Sequence, residues 1–486
     1  MRLPQTGLFI SLLLLCAFQP VKNSNKSLIV SENSKYLMYP DGKPFLWIGD
    51  TAWELFHRLN REDATEYLKN RADKGFSIIQ AVVLAENDGL RTPNAYGELP
   101  FINLDPARPN EAYFEHVDFI VNKAEELGLF IGMLPTWGDK IYSVNPGAGP
   151  IVFNAENARI YGEYLGKRYK NKPIVWILGG DRNIANLEVL EIWRSMAEGL
   201  KLGDKGRNLI TYHPRGASMS SNWLHNEDWL DFNAYQSGHS KHFTEVYNYA
   251  NHLSLLYPRK PFVDAEPPYE DIGVEFWNYW NIKKAENEND TISPIDQSGL
   301  LRDPSVYTKG LFTDADIRVH GYWNFLAGAC GYTYGNNAIW QMWERGMPYA
   351  IPCISDWREA LDRPGANDLI HMRKLFESRP FHHLIPDQSI IYGPVSGGAE
   401  HIQSALADDK SYILVYLAIG QKVHINMKKI EHSIRASWYD TREGKSIIIG
   451  DFKNTGVKEF IPPSNGMGND WMLVLDDSEY NLPVLN

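Results

Sequence analysis

Strand-like and helix-like segments alternate along the chain from about residue 44 to residue 345. Short apolar runs bounded by glycine, proline or polar residues alternate with longer segments of helical apolar spacing. Repeated βα units favour a parallel sheet, and eight strands are the number that closes a (β/α)8, or TIM, barrel. The eight predicted strands are Phe45–Gly49, Ser77–Leu84, Leu129–Leu134, Ile174–Leu178, Leu209–Tyr212, Trp229–Asn233, Pro261–Ala265 and Gly331–Gly335.

The fourth predicted strand, Ile174–Leu178, is the most informative of these. Its five apolar residues run without a break and are followed by two glycines and then by Asp181. A continuous apolar run of this kind indicates a strand buried on both faces, as in a parallel sheet. In a TIM barrel the chemistry takes place at the carboxyl ends of the strands, so Asp181 is the first catalytic candidate.

Glu266 stands just past the seventh predicted strand and is the second catalytic candidate. Cleavage of a glycosidic bond usually needs two carboxyl groups, one as proton donor and one as nucleophile or base. A separation of about 5–5.5 Å would give retention of configuration, and about 6.5–9.5 Å would give inversion. The alternative is a purely structural acid paired with a neighbouring arginine, a pairing that Arg182 offers to Asp181.

Further polar and aromatic residues follow the predicted strands, and together they suit a sugar pocket. Aromatic residues make up 13% of the chain, although most of them must belong to the core. Alternatively, Trp53 and Trp340 pack under loops, and Asp50 caps the helix that follows it. The substrate-binding candidates are Asp50, Trp53, Trp137, Asp139, Arg182, Asn183, His213, Tyr235, Asn336 and Trp340.

The pattern changes after about residue 372, where short strands follow one another without intervening helices. Glycine, aspartate and asparagine turns separate them, which is typical of an antiparallel β-sandwich. We therefore expect a catalytic barrel domain over 28–371 and a smaller C-terminal β-sandwich domain over 372–486. The predicted strands of this second domain are Ser389–Tyr392, Tyr412–Leu417, Val423–Asn426, Ala436–Tyr439, Ser446–Ile449 and Trp471–Leu475.

The N-terminus has the features of an export signal. Arg2 is followed by the apolar run Leu8–Ala17 and then by polar residues, which predicts a signal peptide over 1–22. Cys16 is a candidate lipid-anchor site, although Leu15 stands where a small residue is expected. No later stretch is long and apolar enough to span a membrane. We expect a secreted protein, located in a bacterial periplasm or at the cell surface.

Other classes of function leave little trace in the chain. The net charge of −12 argues against nucleic-acid binding. Gly-x-Ser-x-Gly, Walker, His-Glu-x-x-His and dinucleotide-binding motifs are absent from the sequence, so we expect no cofactor and no metal. The pair His382-His383 is more in keeping with a structural role. Cys330 and Cys353 have two alternatives, a disulfide in an oxidising compartment or two buried thiols.

Several motifs in one order resemble a known family. Gly42–Trp53, Ile177–Asn183, Tyr212–Pro214 and Ala327–Gly335 resemble the apiosidase-like catalytic domain of glycoside hydrolase family 140. The tail segments Trp438–Asp440 and Asp470–Asp476 are similar to the collagen-binding-type β domain that follows it in such proteins.

The resemblance implies a (β/α)8 glycosidase that releases apiose from rhamnogalacturonan-II, a pectin. It also implies an Asp acid/base after strand four and a Glu nucleophile after strand seven, roles that fall on Asp181 and Glu266. The substrate would be a pectic polysaccharide or oligosaccharide. Alternatives are another furanoside or pectic side-chain sugar, a non-catalytic glycan-binding protein on a glycosidase barrel, and a polysaccharide lyase or esterase. For the tail, packing against the barrel is a simpler role than collagen binding.

Overall fold

The computed structural model describes residues 27–143, 149–287 and 290–485. A short antiparallel hairpin, β1 (Ile29–Val30) and β2 (Leu37–Met38), leads into the first domain. Most of the strands that follow are parallel and belong to one sheet. In chain order they are β3 (Trp47–Thr51), β4 (Ile78–Val82), β5 (Phe130–Leu134), β6 (Ile174–Gly179), β7 (Ile210–His213), β8 (Ser218–Met219), β9 (Asn233–Gln236), β10 (Phe262–Asp264) and β11 (Gly331–Tyr334).

Helices connect these strands or follow them, and asparagine side chains begin five of the described ones. Asn60, Asn110, Asn154, Asn186 and Asn336 each accept a hydrogen bond from a backbone N–H of the first turn, which satisfies a donor that the helix leaves unpaired. The helices are α1 (Leu55–Arg58), α2 (Arg61–Asp73), α3 (Glu111–Glu126), α4 (Ala155–Tyr169), α5 (Leu187–Asp204), α6 (Ser221–Leu224), α7 (Val246–Ser254), α8 (Asp314–Leu326), α9 (Asn337–Gln341), α10 (Trp357–Ala360) and α11 (Pro364–Glu377).

The sheet curves into a barrel of eight parallel strands within the described residues. Neighbours are hydrogen-bonded in the order β7-β6-β5-β4-β3-β11-β10-β9, and β8 adds an antiparallel edge to β9. At the seam between the two ends, the N–H of Asp231 donates to the carbonyl of Ile210 at 2.9 Å. The Thr211 hydroxyl donates to the carbonyl of Phe232 at 2.7 Å. The predicted (β/α)8 fold is confirmed.

Alternate residues of each strand point into the barrel or out toward the helices, as the period of two requires. Two apolar clusters result, one inside the barrel and one between barrel and helices. The inner cluster includes Trp47, Ile78, Val82, Phe130, Leu134, Val175, Ile177, Ala234 and Val263. The outer cluster includes Ile48, Ile79, Ile131, Met133, Trp176, Leu178, Tyr212, Tyr235 and Tyr332.

The predicted strands lie close to the observed ones except in the sixth unit. Trp229–Asn233 was expected there, whereas β9 begins at Asn233 and runs to Gln236. The residues before it form a turn, in which the N–H of Leu230 donates to the carbonyl of Glu227. This shift places Tyr235 inside the strand rather than at its end.

The second domain is an antiparallel β-sandwich, as predicted. Six strands form one sheet in the order β12-β13-β14-β19-β16-β17, and β15 pairs with β18 in a two-stranded ribbon that faces it across a common apolar core. The strands are β12 (Leu384–Pro386), β13 (Ile402–Ala407), β14 (Tyr412–Leu417), β15 (Val423–Asn426), β16 (Ile434–Asp440), β17 (Lys445–Phe452), β18 (Val457–Phe460) and β19 (Trp471–Asp477).

Three details of this domain differ from the sequence-based expectation. The segment 389–392 is not a strand, because a 3-10 turn covers Gln388–Ile390. The boundary expected between residues 371 and 372 falls inside α11, which continues to Glu377, and the six-stranded sheet begins only at Leu384. Strands β12, β13 and β18 were missed.

A buried ion-pair network joins the two domains. Arg318 of α8 binds Asp470, which directly precedes β19, with Nη2 and Oδ1 2.8 Å apart. The same guanidinium contacts Asp368 of α11. Beside it the ring of Tyr416 stacks on Tyr322 at 4.8 Å. Since apolar residues of both domains also belong to one core cluster, the sandwich is packed firmly against the barrel.

Cys330 and Cys353 are both free thiols and both buried. Among the described residues, no helix combines the length and the apolar character that crossing a membrane requires. The expected signal peptide, 1–22, and Cys16 lie outside the described residues.

We expect Arg318→Ala to lower the free energy of unfolding by about 3–5 kcal/mol, because it leaves the fully buried Asp470 without its cation. Urea denaturation measures the change. Arg435→Ala is the matched control, since it breaks the exposed pair with Asp451 and should cost less than about 1 kcal/mol. Equal, small losses in both variants would contradict the role given to Arg318.

Candidate active site

Asp181 stands just after β6, and the two residues before it have a backbone conformation that requires glycine. Gly179 and Gly180 have φ values of +92° and +93°, and Asp181 itself has φ +53°. A Cβ atom at Gly179 would lie 2.2 Å from the carbonyl oxygen of His213, and one at Gly180 would lie 2.9 Å from the Trp137 ring. The turn therefore needs both glycines, and it brings Asp181 against β7.

Arg182 follows Asp181 but does not form a close pair with its carboxylate. The nearest atoms, Nη1 and Oδ2, are 3.8 Å apart. The same Nη1 donates to the backbone carbonyl of Asp181 at 2.8 Å, and Nε donates to the carbonyl of Tyr142 at 3.2 Å. Arg182 is buried and braces the turn. The alternative of a structural Asp181–Arg182 pair is therefore not favoured.

Glu266 lies two residues beyond β10, with a histidine at each carboxylate oxygen. His239 Nε2 lies 3.1 Å from Oε1, and His213 Nε2 lies 3.0 Å from Oε2. His213 ends β7, and His239 stands in the loop after β9. All three side chains are buried. Three neighbouring units of the barrel thus converge on one carboxylate.

Backbone amides determine which ring nitrogen of each histidine carries the proton. The N–H of Asp181 donates to Nδ1 of His213 at 3.4 Å. The N–H of Tyr269 donates to Nδ1 of His239 at 3.3 Å. Because a nitrogen that accepts an N–H has no proton of its own, each neutral ring carries its proton on Nε2. The Nε2–H of His239 therefore donates to Glu266, and Nε2 of His213 lies at ion-pair distance from the other carboxylate oxygen.

These surroundings give the carboxyl groups of Asp181 and Glu266 different pKa values. Burial by itself would raise the pKa of Glu266, but the contacts from His213 and His239 outweigh it and hold that pKa below its usual range. Loss of solvent contact raises the pKa of Asp181 to about 6, and the negative charge of Glu266 adds to the effect. Near pH 6 one acid is ionised while the other still holds its proton.

Aromatic residues form the wall behind the two acids. The rings of Trp53 and Trp137 are 5.3 Å apart, and His213 lies 5.5 Å from the first and 6.0 Å from the second. The Trp53 indole N–H donates to the Tyr269 hydroxyl at 3.1 Å. Both indoles are almost completely buried. They shape the site and exclude water rather than offering open faces to a ligand.

Two members of the site were not among the sequence-based candidates. His239 stands in an irregular loop, where neither periodicity nor a motif points to it. Glu86 follows β4, so the rule that selected Asp181 and Glu266 could have selected it as well. Burial, followed by the charges of Asp181 and Asp139, raises the pKa of Glu86 well above its ordinary value. Glu86 is therefore a further carboxyl group at this end of the barrel.

Asp50 and Tyr235 do not join the site, because both point to the outer face of the barrel. Asp50 accepts hydrogen bonds from Arg71 and Tyr67 of α2, each at 2.6 Å, and it is fully buried. Tyr235 donates its hydroxyl proton to Asn324 of α8 and stacks on a ring of α7. These contacts assign structural roles to both residues and leave no group for a sugar.

Asp139 and Asn183 hold loops at the edge of the site. Asp139 pairs with the buried Lys140, with 2.7 Å between Nζ and Oδ1, and accepts the N–H of Gly149 at 2.9 Å. Asn183 is half-buried, and its Oδ1 accepts the N–H of Arg215 at 3.0 Å, which ties the loop after β6 to the loop after β7. Both lie near the acids, and their polar groups already have protein partners.

Asn336 and Trp340 lie at the carboxyl end of β11. Asn336 begins α9 by accepting the N–H of Ala338 at 2.9 Å, and it donates to Asp271 at 2.8 Å. Trp340 donates to Asn337 at 3.3 Å and belongs to the same inner apolar cluster as Trp53. Their observed roles are structural: a helix cap and a buried part of the aromatic wall.

Two other features lie at the opposite end of the barrel. A cavity of about 470 Å³ is lined by Phe262, Cys330 and Pro386, among others, where the first strand of the sandwich meets the barrel. Within the described residues, the group His383, Asp408 and Asp409 brings potential metal-ligand atoms within 4.8 Å of one another. Neither feature touches the two acids.

Family models match both domains. Residues 31–383 match the apiosidase-like catalytic domain. Residues 385–476 match a model described as the collagen-binding domain of a collagenase. No curated protein matches the chain. The first model covers most of the barrel, including every residue of the site.

Solved structures give the same result. A glycoside hydrolase is 30% identical with a TM-score of 0.80, and the match covers 93% of this chain and 97% of that one. A glycoside hydrolase family 5 structure from Bacteroides vulgatus ATCC 8482 is 29% identical with a TM-score of 0.80, covering 95% of each chain. A glycoside hydrolase from the same organism, 15% identical with a TM-score of 0.63 over 94% of this chain and 83% of that one, shares the fold. The chain is therefore a glycoside hydrolase and belongs to the apiosidase-like family.

Proposed function

We propose that the protein is an exo-acting, retaining apiosidase that releases apiose from rhamnogalacturonan-II. The family supports the sugar, and the two acids at the carboxyl ends of β6 and β10 support the reaction. The observation that carries the proposal is the position of Glu266 between His213 and His239, with Asp181 bound to the ring of the same His213. The pKa of Asp181, which is raised, and the pKa of Glu266, which is lowered, agree with it. A retaining glycosidase needs this division between proton donor and nucleophile.

The proposed mechanism has two steps. First, Asp181 protonates the oxygen of the leaving group while the ionised Glu266 attacks the anomeric carbon, and a glycosyl ester forms on Glu266. In the second step Asp181 takes a proton from water, and this water breaks the ester and releases the sugar. His239 holds the Glu266 carboxylate in place by donating its Nε2–H to one oxygen, and His213 lies at ion-pair distance from the other oxygen. Each step conserves protons, and water is the second reactant, consumed in the second step.

We also propose that the protein is exported to a bacterial periplasm or cell surface, where a pectic substrate would be met. The apolar run Leu8–Ala17 supports this location. Cys16 would be the site of a lipid anchor if one is present.

Asp181→Asn and Glu266→Gln should each lower kcat/KM on rhamnogalacturonan-II at least about a hundredfold, because each removes an acid that one of the two steps requires. Sugar analysis of the digest should identify apiose as the product of the unchanged protein. NMR of the first product formed should show the anomeric configuration of the substrate. Circular dichroism of both variants serves as the control for folding.

Each other outcome has a distinct meaning. Release of a different furanose or pectic sugar would replace the substrate and keep the mechanism. Binding of pectic fragments without release of any sugar would indicate a glycan-binding protein. Unsaturated sugar ends that absorb in the ultraviolet would indicate a lyase, and acid release without chain cleavage would indicate an esterase. Near-normal turnover in either variant would contradict the assigned roles.

The pH dependence of kcat/KM should follow the pKa values of Asp181 and Glu266. The active form has Asp181 protonated and Glu266 ionised, so kcat/KM should fall as the pH rises through about 6 and Asp181 loses its proton. On the acid side, activity should persist below the ordinary pKa of a glutamate. A glycoside with a dinitrophenyl leaving group needs no proton donor and should lose less activity above pH 6. A profile flat to pH 9 on the natural substrate would contradict the assignment of Asp181.

His239→Ala should move the acid limb of that profile upward by about one to two pH units, because Glu266 loses a hydrogen bond that stabilises its charge. His239→Gln keeps an N–H donor near the same place and should restore part of the shift. His225→Ala is the matched control, since this buried histidine contacts Pro258 and Asn233 instead. If thermal stability changes but the acid limb of the pH profile does not move, His239 has only a packing role and the prediction is wrong.

A further inference from the structure

Two tryptophans are exposed on the loop that follows β10. Phe276–Tyr279 forms a 3-10 helix, in which residues three apart lie above one another. Phe276 and Tyr279 pack against neighbouring apolar residues. Trp277 and Trp280 occupy the opposite side and are 41% and 54% exposed. With a rise of about 2.0 Å per residue, the two indoles are offset by about 6 Å along the helix, which is close to the length of one sugar unit.

These indoles are held in fixed positions near the nucleophile. The ring of Phe276 contacts Trp277 at 5.3 Å and Trp280 at 5.6 Å, both edge to face. Phe276 also lies 5.6 Å from His239, the residue that donates to Glu266. The side chain of Phe276 therefore separates the two exposed rings from His239, the residue that contacts Glu266. Trp277 and Trp280 have exposed ring faces, whereas the indoles of Trp53 and Trp137 are buried.

Two lysines follow Trp280 along the chain. Lys283 and Lys284 are exposed, and within the described part of the chain no carboxylate lies within ion-pair distance of either. Lys309, by contrast, is paired with Glu275 at 2.6 Å. In a protein of net charge −12, two neighbouring cations without such a partner favour an acidic ligand. We call the segment 277–284, with its exposed side chains Trp277, Trp280, Lys283 and Lys284, the aromatic-basic platform.

We propose that the aromatic-basic platform binds a uronate-bearing stretch of the glycan, beyond the bond that Asp181 and Glu266 cleave. Trp277 and Trp280 stack on the apolar faces of two sugar rings, which are the type of surface that indoles cover well. Lys283 and Lys284 pair with the carboxylates of those sugars. The choice of an acidic glycan follows from the two cations. That this glycan is also the substrate cleaved by Asp181 and Glu266 rests on the proposed function.

Binding of defined oligosaccharides to the inactive Glu266→Gln variant tests this site. Calorimetry with tetragalacturonate and with a neutral tetrasaccharide, cellotetraose, should show tighter binding of the acidic ligand. Adding Trp280→Ala should weaken tetragalacturonate binding about tenfold. Adding Lys283→Ala and Lys284→Ala should abolish the preference for the acidic ligand and reduce the salt dependence of Kd.

Tyr257→Ala is the matched control, because this exposed aromatic side chain lies on the loop before β10, at the other end of the barrel. It should leave Kd unchanged. Unchanged binding in Trp280→Ala, or equal binding of the acidic and neutral ligands by the parent, would overturn the proposal. So would a shift from dimer to monomer on size exclusion in Trp280→Ala, which would make the platform a contact between protein copies.

The two proposals fail in different ways. If tetragalacturonate binds through the platform but no apiose is released from rhamnogalacturonan-II, the proposed activity fails and the platform stands. If apiose is released but platform variants bind tetragalacturonate like the parent, the platform fails and the activity stands. Thermal melting of each variant checks that its fold is intact.

Discussion

The arrangement of the site depends on one buried charge, the carboxylate of Glu266. A charge away from water needs polar partners close to it. Here His239 donates its Nε2–H to one oxygen, and the ring of His213 lies at ion-pair distance from the other. The backbone N–H groups of Asp181 and Tyr269 then fix the tautomer of each ring. The groups involved come from the ends of β6, β7, β9 and β10. Only a closed sheet brings four such ends together, so the barrel and the charge depend on each other.

The backbone at the end of β6 shows how closely the site is built. Gly179 and Gly180 allow β6 to pass within contact of the carbonyl of His213 and of the Trp137 ring. Asp181 then adopts a left-handed conformation, which costs about 1–3 kcal/mol for a residue with a side chain. Arg182 offsets this cost by donating to the carbonyls of Asp181 and Tyr142. The conformation persists because the surrounding barrel determines it.

How far the sequence predicts this molecule depends on the kind of signal. Buried strands have continuous apolar runs, so the barrel and the acids after β6 and β10 could be predicted. The face on which a residue lies alternates at every position, so a small error in a strand end reverses its role. Tyr235 was misplaced in this way, and Asp50 lies on the outer face with Ile48. His239 left no signal, because an irregular loop positions it against a group 27 residues away.

By itself the arginine beside Asp181 would oppose a proton donor, since a nearby cation favours the ionised acid. Its donors are directed to backbone carbonyls, however, and loss of solvent together with the charge of Glu266 outweighs it. In the proposed mechanism this balance changes during the reaction. Once Glu266 is esterified, its negative charge is gone, and one of the two causes that raise the pKa of Asp181 disappears. Asp181 then becomes a stronger acid and stays ionised, which is the state that a base for the second step requires. The coupling of the two carboxyl groups thus lets one residue serve first as acid and then as base.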